Sequence, residues 1–186
     1  MVHPALAVPD PIVREAWSRG VNAPRSSAAG RVFDAMAAIV LGVAETSFEG
    51  QAPMWLEARA SAAGEFPTLP IVGDADGLPR IDWSPLLEWC GDDGRSVEAR
   101  ASAVHLALAD AICRVSENER ARSGAAIVGL TGGVFQNRLL AGLAHAGLER
   151  RGFRVLLPER IPCNDGGLSY GQVAEFLGRQ AGPVAH

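Results

Sequence analysis

Residues 125–137, AAIVGLTGGVFQN, constrain the fold more than any other stretch. Ala126, Ile127, Val128 and Leu130 form a short apolar run between Gly124 and the pair Gly132 and Gly133, the pattern of a buried strand. Residues 138–150 then place Leu139, Leu140, Leu143, Ala144 and Leu148 at helical spacing. The unit reads as strand, glycine turn, helix. Such a turn lets a ligand approach the backbone, with free N–H groups of the next helix aimed at it. Asn137, at the mouth of that helix, adds a side chain that both donates and accepts. The same letters also suit a plain βα connection that binds nothing. Residues 153–157 form a second short apolar run after Gly152, so the two strands are expected to pair in parallel through the helix.

Composition narrows the chemistry. At 186 residues and 48% hydrophobic, the chain suits one domain with a sizeable core. Its net charge of -4 argues against a nucleic-acid surface held by charge, so no nucleic-acid partner is expected. All 17 basic residues are arginine, which excludes an ordinary Walker A loop and any lysine Schiff base. Cys90, Cys113 and Cys163 are odd in number and widely spaced, as in a reducing compartment without disulfides. No secretory leader is read at Met1, and the longest apolar run, residues 35–44, is too short to span a bilayer. A cytoplasmic protein with no membrane contact is the expectation.

Elsewhere, helices are expected over residues 11–19, 31–41, 52–63, 85–90, 96–121 and 166–180. Asp10 is placed to cap the first, and Gly64 to end the third. Val32, Phe33, Met36, Ile39 and Val40 share one helix face, with Asp34 off that stripe. Residues 68–72 and 78–82 read as a small hairpin. His105 borders the apolar stripe of the longest helix and reads as a packed or hydrogen-bonded residue rather than a ligand. The last helix is expected to use Leu168, Val173, Phe176 and Leu177 for packing. Asp165 sits just before that helix, either as its N-cap or as a hard oxygen ligand for a metal. Residues 167–171 spell G-x-S-x-G, but residues 162–167 before Ser169 cannot form the apolar strand that a nucleophile elbow requires. Residues 1–10 are expected as an extended lead-in, 11–180 as one α/β lobe and 181–186 as a frayed tail.

Four segments in order carry a family resemblance: residues 26–35 (SSAAGRVFDA), 48–51 (FEGQ), 130–140 (LTGGVFQNRLL) and 162–172 (PCNDGGLSYGQ). Together they resemble the C-terminal part of the HypF family, carbamoyltransferases of NiFe-hydrogenase maturation. The resemblance implies an α/β fold, one ribonuclease-H-like lobe of the actin-like ATPase (ASKHA) superfamily, helix-rich with a small β-hairpin insertion. It implies a chemistry in which carbamoyl phosphate and ATP give a carbamoyl adenylate, whose carbamoyl group passes to the C-terminal cysteine of HypE. By motif, Gly30 and Asp34 would contact the nucleotide, Asp34 at the ribose hydroxyls. Gly132, Gly133 and Asn137 would line the adenosine. Asp165 would be one ligand of a divalent metal, zinc or iron. No catalytic residue is assigned. The family's first lobe, with its metal-binding histidine pair, has no counterpart in these residues, and Cys163 stands where the family usually has proline. Two readings remain open. The chain is the second lobe of a carbamoyltransferase completed by a partner chain carrying the first lobe, or it is a catalytically inactive nucleotide-binding or interaction module, or a relic. Either way, the side facing the first lobe is expected to be apolar and to drive partner binding or self-association.

Overall fold

The computed structural model describes residues 11–24, 26–73 and 77–180. The lead-in, Asp10, the hairpin turn and the tail lie outside the described residues. The architecture is helix-rich α/β. α1 (Pro11–Ser18), α2 (Ala29–Leu41) and α3 (Gln51–Arg59) come first. A hairpin of β1 (Ile71–Gly73) and β2 (Pro79–Ile81) leads into α4 (Ser84–Cys90) and the long α5 (Val97–Ser123). Then come β3 (Ile127–Gly129), a 3-10 turn (Gly133–Gln136), α6 (Arg138–Arg150) and β4 (Arg154–Leu156). A second 3-10 turn (Asp165–Gly167) runs into α7 (Leu168–Gln180). No helix among the described residues is long and apolar enough to cross a membrane.

α5 is the axis of the core. Ser96 starts it as N-cap, its hydroxyl accepting from the Ala99 N–H at 3.1 Å. Gly124 ends it in the left-handed conformation, φ +75°, donating back to the Arg120 carbonyl. Ala101, Ala103, Ala107, Ala109 and Ala111 are all buried, and their small side chains let α2, α3, α4 and α6 approach. α2 presents Phe33, Met36, Ile39 and Val40, as its stripe predicts, and α6 presents Leu140, Ala144 and Leu148. Burying each such leucine or phenylalanine contributes about 1.5–3 kcal/mol. α6 lies close against α5 at Gly147, where a Cβ would lie 2.7 Å from the buried Cys113 sulfur. A glycine is therefore what this crossing admits.

β3 and β4 pair in parallel, Val128 opposite Val155, with α6 as the crossover. This agrees with the expected βαβ unit. The expected two-faced burial of the strand does not hold: Val128 and Val155 turn to the core, while Ile127 and Leu156 are exposed. Among the described residues, only one face of this two-stranded sheet is covered by helices. The hairpin is antiparallel, Ile71 opposite Ile81, and Arg114 ties its lead-in to α5 by donating to the Leu69 carbonyl at 2.7 Å.

Two helices depart from the sequence reading. α3 stops at Arg59 rather than near Gly64, because Ala60 is extended and the next N–H, of Ser61, is drawn to the Ser102 hydroxyl on α5 at 2.9 Å. Within α3, Leu56 is buried and Met54 is exposed. α7 forms over the expected residues but buries none of them. Leu168, Tyr170, Val173, Phe176 and Leu177 are each more than half exposed, because α7 meets little beyond the 3-10 turn before it.

Candidate functional site

The first turn of α2, α3, the turn after β3 and the loop before α7 surround an open cleft of about 960 Å³. It brings together Gly30 and Asp34, Gly132 and Gly133, Asn137, and Asp165, the six residues that the resemblance singles out. They come from three segments spread over more than 130 residues of chain.

Gly30 lies in the first turn of α2, and a Cβ there would meet nothing within 4 Å, so the protein's own packing does not demand the glycine. One turn on, the half-buried Asp34 has its Oδ2 3.1 Å from Arg31 Nη1, while Arg31 Nη2 donates to Glu49 Oε1 at 2.9 Å. Arg31 thus links α2 to the loop before α3 at the cleft rim. Pairs this exposed contribute ~0–1 kcal/mol, so their effect is orientation.

Gly132 has φ +105° and ψ 154°, a backbone conformation that essentially requires glycine. Its N–H donates to the Cys163 carbonyl at 2.7 Å, which holds the glycine turn against the loop carrying Asp165. The chain then makes a 3-10 turn, Gly133–Gln136, before α6 begins. That extra turn separates the glycines from α6, which corrects the simpler strand–turn–helix unit. Two of the N–H groups at the start of α6 are already bonded to side chains. Asn137 is its N-cap, Oδ1 accepting from the Leu140 N–H at 2.8 Å, and Glu57 of α3 accepts from the Leu139 N–H at 3.1 Å.

His105 lies wholly buried behind Asn137. Its Nδ1 is 2.8 Å from the Ala101 carbonyl, and its Nε2 is 2.8 Å from Asn137 Nδ2. The Phe33 ring is tilted against the imidazole at 5.0 Å between centroids. Burial holds the His105 pKa below its usual 6.5, against the opposing pull of the Ala101 carbonyl and the Glu57 charge. Because the folded value lies below the unfolded one, the neutral ring's contribution to stability is complete above pH 6.5. It is lost as the pH falls through the folded pKa. Denaturation midpoints measured between pH 7.5 and 5 are expected to fall with acidification in the wild type, and this component to vanish in His105→Gln.

Asp165 is exposed, and its expected capping role belongs to its neighbour. Asn164 Oδ1 accepts from the Gly166 N–H at 3.0 Å, while Asp165 opens the 3-10 turn. Among the described residues no group of three or more His, Cys, Asp or Glu side chains is placed to hold a metal ion. A metal therefore does not fit these residues by themselves. Ser169 lies in the first turn of α7, exposed, with no strand leading into it. Burial pushes the Cys90 thiol up to about 12 and raises the Cys113 thiol, so neither is a nucleophile at neutral pH. Glu57 had no signal in the sequence. Asn164 lay within the quoted PCNDGG segment, and His105 was legible only as a residue bordering a stripe.

These features define a class, a helix-rich α/β fold with an open cleft, and its likeness to known proteins places it as ASKHA-like. The chain belongs to the family described as the second subdomain of the carbamoyltransferase Kae1-like domain, which residues 4–172 match. Its relatives are HypF proteins. It is 41% identical over 168 residues to carbamoyltransferase HypF of Rhodobacter capsulatus, covering 89% of this chain and 22% of that protein. It is 39% identical over 165 residues to a carbamoyltransferase HypF homolog of Cupriavidus necator, covering 83% of this chain and 41% of that protein. The crystal structure of full-length HypF in its phosphate- and nucleotide-bound form superposes with a TM-score of 0.82 at 31% identity, over 90% of this chain and 23% of that one. The chain thus spans between 22% and 41% of the length of these relatives.

Proposed function

We propose that this chain is the nucleotide-facing second lobe of a carbamoyltransferase that uses carbamoyl phosphate and ATP, by way of carbamoyl adenylate, to carbamoylate the C-terminal cysteine of HypE. The observation that carries this reading is the meeting of Gly30, Asp34, Gly132, Gly133, Asn137 and Asp165 around one cleft. In this reading Asp34 takes the ribose hydroxyls. The Gly132 and Gly133 backbone and Asn137 take the adenosine, where absent side chains leave room for a flat ligand. Asp165 offers one carboxylate to a divalent metal, zinc or iron, only when another lobe brings the other ligands. In this reading the first lobe, in the same polypeptide or in a partner chain, completes the cleft.

A second reading, an inactive nucleotide-binding or interaction module, draws on two observations. No metal-holding cluster occurs among the described residues, and α7 presents five large apolar side chains to solvent. That surface also suits docking of a partner lobe or a second copy.

Calorimetry with ATP and AMP, with and without an added first lobe from a HypF relative, separates the two. Binding that needs the added lobe and is weakened about tenfold in Asp34→Ala and in Asn137→Ala supports the transferase reading. No binding in either preparation removes the nucleotide assignments and leaves the interaction module. The purified chain alone is expected not to turn over carbamoyl phosphate; measured turnover would refute the need for a partner.

A further inference from the structure

We propose that His105 is a positioning residue for the cleft: it fixes the Asn137 amide so that the cleft is offered an N–H donor and the bound nucleoside must present an acceptor there. The nature of the ligand rests on the nucleotide reading above; the hydrogen-bond chain does not.

The Ala101 oxygen only accepts, so the proton of the neutral ring is on Nδ1. That leaves Nε2 as an acceptor, 2.8 Å from Asn137. On the other side, the Leu140 N–H only donates, so the Asn137 atom facing it is Oδ1. Both constraints agree, and the amide has one orientation. A flipped amide would set Nδ2 against the Leu140 N–H and Oδ1 against the Nε2 lone pair. Asn137 Nδ2 carries two hydrogens, and His105 takes one. The second has no acceptor among the described residues, and Asn137 lines the cleft. A ligand oxygen or unprotonated ring nitrogen can accept it; a ligand donor at that point meets a donor. Recognition of this kind discriminates because a mismatched ligand covers the amide and leaves its donor unpaired.

The ring is held by every element around it. α5 supplies Ala101, α2 packs Phe33 on its face, and α6 supplies the Asn137 amide. Glu57 on α3 is the charged group acting on it. Glu57 also accepts from Leu139, next to the Asn137 cap, so α3, α5 and α6 are joined at this one corner of the cleft. Protonating His105 would turn Nε2 into a donor facing the Asn137 NH2 and break the arrangement.

The test uses the full chain, in whichever preparation of the calorimetric experiment binds AMP. His105→Gln keeps an acceptor near the Nε2 position and is expected to bind AMP within about threefold of wild type. His105→Leu keeps the volume without the acceptor and is expected to bind about tenfold more weakly. In an Asn137→Ala background the same leucine substitution is expected to have no further effect on affinity, which a general structural role would not produce. Equal affinity of His105→Leu and wild type, or losses that add fully with Asn137→Ala, overturn the proposal.

Nitrogen-15 NMR of the imidazole at pH 7.5 decides the first link independently. An Nδ1–H ring, with an Asn137 side-chain amide signal displaced in His105→Gln, supports it, and an Nε2–H ring overturns it. If no preparation binds AMP, the nucleotide reading fails on its own, and the tautomer and amide signals still decide the positioning role. If His105→Leu does not fold, wild-type AMP affinity that is unchanged as His105 is protonated overturns the proposal. Affinity that falls in step with that protonation, and does not do so in Asn137→Ala, supports it.

Discussion

Replacing Phe33 with alanine is expected to lower stability by about 3–5 kcal/mol, the range for removing a buried aromatic ring. Phe33 is 1% exposed and sits on the face of α2 that meets α5. It also packs on His105, so the cavity would open beside a buried polar ring. Water entering there would compete for the Asn137 hydrogen bond. Because single domains are stable by only about 5–15 kcal/mol, a loss of this size is a large part of the whole. α2 also carries Gly30 and Asp34, so the cleft should loosen with the core. Urea denaturation followed by circular dichroism measures the loss. Phe33→Leu, which refills most of the volume, is expected to recover the greater part of it. A cost below about 1 kcal/mol for the alanine variant would show that α2 is not anchored through this ring.

How far the sequence could be read depended on whether a feature is local. α2, α5 and α6 were legible because apolar residues recur at helical spacing, whereas the caps Ser96 and Asn137 showed themselves only in the structure. The parallel β3–α6–β4 unit followed from two apolar runs separated by a helix. Spacing identifies an apolar face but not what covers it. Leu168, Val173, Phe176 and Leu177 have the same periodicity as the buried stripe of α6, yet they stand in solvent. Ile127 and Leu156 likewise belong to apolar runs whose outer face nothing covers among the described residues.

The end of α3 turned on a hydrogen bond between Ser61 and Ser102, 41 residues apart, and no local breaker marks it. The same limit applies to the cleft. Gly30, Asp34, Gly132, Gly133, Asn137 and Asp165 were assembled in the sequence only through the family resemblance, since no spacing rule links three segments so far apart. Glu57 reaches Leu139 across 82 residues, and His105 meets Asn137 across 32. Such contacts belong to the packing of α3, α5 and α6 and leave no pattern in the letters.

The sharpest consequence of that corner is a reversal of pH dependence in Asn137→Asp. In the wild type the His105 pKa is lowered, so acidification destabilises. An aspartate keeps the capping oxygen for Leu140 but sets a second oxygen where Nδ2 met the Nε2 lone pair. With neutral His105 the two acceptors face each other in a buried site, at a cost of about 1–3 kcal/mol. Protonation of Nε2 converts the clash into a charge-assisted hydrogen bond, so the folded pKa of His105 rises above its usual value. A raised folded pKa contributes stability that is complete below the unfolded value of 6.5 and is lost as the pH rises through the folded one. Asn137→Asp is therefore expected to be least stable in mild alkali and to gain stability on acidification toward pH 6, opposite in sign to wild type. Urea midpoints at pH 6 and pH 8.5 measure it. Equal slopes in the two proteins would mean that Asn137 and His105 are not coupled in solution. The variant also loses the N–H donor toward the cleft, so AMP binding should fall at every pH, including where the fold is most stable. Stability and affinity would then move apart as the pH falls, as expected if Asn137 serves α6 with one end and the ligand with the other.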